Sequence, residues 1–125
     1  MRHHHVNLAV PPGRLDDEQH FVVDLLGYTP VPAPEALLRE GFSPRWFAAA
    51  DGTQIHLSED PDHRPAARAH VAIVLATDEL EAVERRLVDA GLDLRRSDGF
   101  AGLPPQIIVL DPGGNRWELR GPEVS

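Results

Sequence analysis

The chain has no cysteine. That excludes disulfide scaffolds, zinc ribbons and thiol nucleophiles. Lysine is missing as well, and all 12 basic residues are arginine. Neither a Schiff base nor a lysine general base is available. Positive charge is scarce overall: 20 acidic residues against 12 basic ones leave a net charge of −8 at pH 7. A phosphate backbone needs a basic footprint, so no nucleic-acid partner is expected. No apolar run approaches the ~20 residues that span a bilayer, so no membrane partner is expected either. Met1-Arg2-His3-His4-His5 runs straight into a strand pattern with no signal-peptide core, which makes the cytoplasm the expected compartment.

What is present suffices for a core. The 125 residues are 42% apolar and 26% charged, which predicts one folded domain over 1–125. Residues 5–10 alternate with period two and stop at Pro11-Pro12-Gly13, which predicts a strand. Asp16 and Gln19 suggest a capping box, Phe21, Val22, Leu25 and Leu26 follow at helical spacing, and Gly27 ends the helix. Residues 28–44, with Pro30, Pro32 and Pro34, read as a connection with a short helical turn over 35–39. Strands at 45–50 and 53–58 are joined by Asp51-Gly52, a strong hairpin signal. Residues 59–67 read as a linker.

The second half repeats that order. A strand at 69–76 leads into a helix capped by Thr77 or Asp78, with Glu81 completing a box, and Gly91 ends it. Strands at about 92–96, 106–110 and 115–120 follow, the last two joined by Asp111-Pro112-Gly113-Gly114-Asn115. His5–Val10 aligns with His70–Leu75, and Gly52–Leu57 with Gly114–Leu119. The fold class expected is α+β: two βαβββ repeats, 1–58 and 67–121, forming a curved, partly closed mixed sheet with helices on its outer face.

Strand parity divides each repeat into two faces. Val6, Leu8, Val10, Val71, Ile73, Leu75, Trp117 and Leu119 form the greasy faces expected to be buried under the helices. His5, His56, His70 and Glu118 fall on the other faces, at repeat-equivalent positions. A single strand histidine is ordinarily a polar strand residue and nothing more. Four imidazole and carboxylate donors in symmetric positions point instead to a first-row divalent metal with open coordination positions, as in a catalytic site.

His5-Val6-Asn7-Leu8-Ala9-Val10, Gln54-Ile55-His56-Leu57, His70-Val71-Ala72-Ile73 and Asp111-Pro112-Gly113-Gly114-Asn115-Arg116-Trp117-Glu118-Leu119 together resemble the vicinal oxygen chelate superfamily. That family includes glyoxalase I, bleomycin-resistance proteins, fosfomycin-resistance enzymes and extradiol dioxygenases. The resemblance covers nearly the whole chain. It implies one divalent ion per site (Zn, Ni, Co, Mn or Fe) held by His5, His56, His70 and Glu118, although His56 stands where glyoxalase I-like members often carry glutamate. It also implies a small-molecule substrate and a homodimer with shared sites. The activity expected is a glyoxalase-type isomerase, lyase or epimerase, with Glu118 or His56 moving the proton. The alternatives are a non-catalytic sequestering protein of the bleomycin-resistance type and a dioxygenase. Asn7, Arg45, Phe47, Arg116 and Arg120 are the residues expected to line the substrate pocket, and Glu79, Glu81 and Glu84 read as a solvated helix face.

Overall fold

The computed structural model describes residues 1–42, 44–99 and 101–123. The chain divides into two compact units, Met1–Arg64 and Pro65–Ser125. Each carries one four-stranded mixed sheet, with helices against it, in an α+β arrangement.

In the first unit β1 (His5–Val10) leads to α1 (Leu15–His20), which continues as a π-helical turn over Phe21–Leu25. β2 (Thr29–Val31), α2 (Glu35–Arg39), β3 (Arg45–Ala48) and β4 (Gln54–Glu59) follow. The sheet order is β1-β4-β3-β2, parallel between β1 and β4 and antiparallel elsewhere. The second unit repeats this with β5 (His70–Val74), α3 (Thr77–Asp89), β6 (Arg95–Ser97), β7 (Gln106–Leu110) and β8 (Arg116–Arg120), in the order β5-β8-β7-β6.

The wide turn after α1 closes with the Leu26 amide on the Phe21 carbonyl and the Tyr28 amide on the Val22 carbonyl. It sets Phe21, Val22, Leu25, Leu26 and Tyr28 inward, all buried. Gly27 then reverses the chain at φ 98°, a conformation glycine adopts without the Cβ penalty. Neither expected capping box forms. Arg14 and Ala76 are the residues before α1 and α3, and neither makes a side-chain cap bond. Asp16 is engaged elsewhere, accepting from Arg45 at 2.8 Å. β2 arises inside the stretch read as a connection, where Pro30 masks a strand that pairs with β3.

One face of each sheet carries the core. In the first unit Leu8, Val10, Phe47, Ile55 and Leu57 are buried there. Arg45, from the same face, bonds to Asp16 and Gln19 and so ties α1 over it. In the second unit Ile107, Val109, Trp117 and Leu119 are buried on one face, and α3 presents Leu80, Val83 and Leu87. The ion pair between Arg96 and Glu84 ties α3 over that face, so Glu84 is half-buried and paired rather than solvated. Burial departs from expectation on the outer strands. Val6 is exposed, and Val71, Ile73 and Leu75 are only half-buried. Burial also varies along β1, where Leu8 and Val10 are covered and Val6, near the strand start, is not; Ile55, Leu57, Trp117 and Leu119 sit on inner strands.

The turn before β8 is anchored by one carboxylate. Asp111, itself buried, accepts from the Asn115 amide at 2.8 Å and from the Trp117 indole N–H at 3.0 Å. Among the described residues, no helix is long and apolar enough to cross a membrane.

Candidate metal centre

Register decides which side chains can meet. β1 pairs with β4 so that His5 stands opposite Gln54 and Asn7 opposite His56. β5 pairs with β8 so that His70 stands opposite Arg116 and Ala72 opposite Glu118. The two pairings are the same pairing repeated. On the face away from the core, each unit therefore brings two of the four expected donors onto adjacent parallel strands: His5 with His56, and His70 with Glu118. Among the described residues no three such donors gather in one group.

The second pair is the tighter. His70 Nε2 lies 3.1 Å from Glu118 Oε2. His70 Nδ1 lies 2.9 Å from the Arg68 carbonyl. A carbonyl only accepts, so Nδ1 carries the proton; Nε2 and Glu118 Oε2 then face each other as two acceptors unless a proton or an ion sits between them. The other carboxylate oxygen, Oε1, lies 3.2 Å from Arg120 Nε, an ion pair without hydrogen-bond alignment. His70 is thus fixed from behind by a second contact and Glu118 is charge-paired, support of the kind that orients metal ligands. The spacing also fits an ion. Two ligands each about 2.1 Å from one metal sit about 3.0–3.4 Å apart between octahedral and tetrahedral angles.

The first pair is built on an aromatic support. The Trp46 indole stacks on His56 at 4.9 Å between ring centroids and meets His5 edge-on at 4.7 Å. Burial, and then the charge on His5, hold the His56 imidazole below its ordinary pKa. That favours the neutral ring, the form that ligates. His4 Nδ1 lies 2.9 Å from His5 Nδ1, so one of the two rings must donate. Asn7 stands opposite His56 in the register, its side-chain oxygen accepting from Ser58 Oγ at 3.0 Å. His56 and Ser58 also line a concavity of about 590 Å³ with Leu15, Leu37 and Phe42 on its apolar walls.

The expected pocket residues divide. Arg45 stands opposite Leu57, and Phe47 opposite Ile55, which puts both on the core face, away from His56. Their place is taken by Trp46, opposite His56. Trp46 and Phe47 are adjacent aromatics, and sequence alone gives no parity for a strand of four residues. Arg116 and Arg120 do share the Glu118 face, but Arg120 is engaged by Glu118 itself.

The family model of the glyoxalase/bleomycin resistance protein/dioxygenase superfamily matches residues 1–119. The chain belongs to this superfamily. Among solved structures it is similar to a protein assigned to the glyoxalase family from Bacillus anthracis, with 24% identity and a TM-score of 0.81 over 98% of this chain and 96% of that one. It is similar to the fosfomycin resistance protein FosX from Listeria monocytogenes, with 15% identity and a TM-score of 0.79 over 99% and 95%. It is similar also to a glyoxalase/dioxygenase from Nostoc punctiforme, with 19% identity and a TM-score of 0.80 over 99% and 92%. At these identities the likeness is one of fold. No curated protein sequence matches the chain.

Proposed function

We propose that this superfamily member is a divalent-metal-dependent enzyme of the glyoxalase type, acting on a small substrate with neighbouring oxygens. His5, His56, His70 and Glu118 would hold one ion per site. The observation that carries the reading is the preparation of His70 and Glu118: their facing atoms lie 3.1 Å apart while the Arg68 carbonyl fixes the far side of His70 and Arg120 is in ion-pair range of Glu118. A FosX variant crystallised with Mn(II) and a dihydroxypropylphosphonic acid supports a divalent ion in this fold. When bound, the ion would supply Lewis acidity toward charge developing on substrate oxygen.

The protein's own groups would do the rest. Glu118, with Oε1 in an ion pair with Arg120, is placed to take or return a proton through Oε2. His56 is kept neutral by burial and flattened against Trp46, so it can serve as a ligand or as the second proton carrier. Ring cleavage by a dioxygenase has less support, because Tyr28 is buried in the core of the first unit. A second reading is sequestration of a small molecule without turnover. It draws on the apolar walls of the two concavities and needs no ion.

The test is metal analysis of untagged protein purified without added metal, followed by titration with Zn(II), Ni(II), Co(II), Mn(II) and Fe(II). The enzyme reading expects close to one ion per site, and loss of that ion in His70→Ala and Glu118→Ala. Folded wild-type protein that takes up none of these ions would overturn it.

A further inference from the structure

The arginines of the second unit are not equivalent. Arg96 pairs with Glu84 and Asp98 on the core face. Arg120 is engaged by Glu118. Arg95 and Arg116 enter no ion pair among the described residues.

Both arginines line one concavity of about 540 Å³, contained wholly in this unit. Register puts Arg116, Leu110, Ile108 and Arg95 on the same face as Glu118. Ile108 and Leu110 give the floor its apolar character, and Leu110 is exposed despite being a large aliphatic residue. The rim is close-fitting: a Cβ on Gly114 would come within 2.8 Å of the Pro65 side chain. Asp93 is the one acidic residue in the lining, so the two guanidiniums leave a positive balance. Planar guanidiniums bind oxyanions through paired N–H donors, while the aliphatic floor takes hydrocarbon. In a chain with a net charge of −8, an unmatched cationic pocket is a local feature and not a reflection of the whole.

We infer that this concavity binds the head of an organic oxyanion, a carboxylate or a phosphonate on a compact apolar body, through Arg116 and Arg95. The inference deepens the proposed function by naming what the substrate carries. It rests on that reading only for the claim that the anion lies beside the chemistry. Binding itself requires no ion.

The experiment is therefore done on the full chain with chelator present. Benzoate and phenylphosphonate are titrated against the neutral isostere benzamide, and backbone amide shifts of Leu110, Gly114 and Arg116 are followed by NMR. At least one anion should saturate these shifts and bind at least tenfold more tightly than benzamide; which one does so separates carboxylate from phosphonate. Arg116→Gln should weaken that binding at least tenfold and Arg95→Gln by a smaller factor. Asp93→Asn should strengthen it severalfold, an effect that damage to the fold would not produce. The proposal is overturned if benzamide matches the anions, if neither arginine variant changes affinity, or if the shifts fall outside the concavity. Failure to bind metal in the separate titration would leave these expectations unchanged.

Discussion

At the scale of single residues, the structure separates side chains that look alike in sequence. Tyr28 is the only tyrosine. Its burial, with a smaller contribution from Asp51, pushes the phenol from the ordinary value of 10.0 up to about 12. The unfolded chain loses this proton first, so between about pH 10 and about pH 12 folding stability falls as pH rises. The loss should reach about 2–3 kcal/mol, since two pH units at ~1.4 kcal/mol each separate the two states. Near-ultraviolet titration of tyrosinate should show the raised midpoint, and Tyr28→Phe should flatten the alkaline stability profile. Among the metal donors the expected order of damage also differs. His70 is pinned by Arg68 and faces Glu118, whereas His56 is supported chiefly by stacking on Trp46. His70→Ala should therefore weaken Zn(II) binding more than His56→Ala, read by competition with a chelating dye. Equal losses would mean that a contact behind the ring does not rank these ligands.

At the scale of elements, the repeat was legible and its edges were not. Matching His5 with His70 and Gly52 with Gly114 by eye is enough to anticipate that both parallel strand pairs share one register. That register brings two donors together in each unit. Burial was harder to foresee, because alternation reveals which way a side chain points but not whether anything covers it. Val6 and Leu119 have the same apolar character, yet one lies on an edge strand and the other on an inner one. Leu119→Ala should cost ~2–5 kcal/mol, and Val6→Ala well under 1 kcal/mol, in denaturant unfolding. Turn chemistry was legible where one side chain does several jobs. Asp111→Ala would remove the carboxylate to which the Asn115 amide and the buried Trp117 indole donate. A loss of about 1–3 kcal/mol is expected. The capping boxes failed because both helices start before the residues expected to cap them: Asp16 and Asp78 lie inside the first turns of α1 and α3, and Asp16 pairs with Arg45 instead. The choice of Phe47 over Trp46 failed because strand parity on β3 is set only by its pairing with β4.

At the scale of the whole molecule, neither unit presents a complete donor set. Each unit presents two of the four donors, and a pair leaves most of an ion's coordination sphere open. Two pairs are needed, and they can come from one chain or from two. A closed twofold dimer is the commonest oligomer, and it offers each first unit a second unit from its partner. We therefore expect a homodimer in which His5 and His56 of one chain serve with His70 and Glu118 of the other. Complementation tests this. In a mixed dimer of His5→Ala and Glu118→Ala chains, one shared site carries both lesions and the other carries none. Subunit exchange between the two inactive proteins should restore metal binding at about half the sites of the mixed dimers. If each site were built within one chain, every site would keep one lesion and exchange would restore nothing. Light scattering and a labelled-subunit assay must first show that dimers form and exchange. With exchange demonstrated, absence of recovery would sink the shared site while leaving the His70–Glu118 pair intact as a ligand pair.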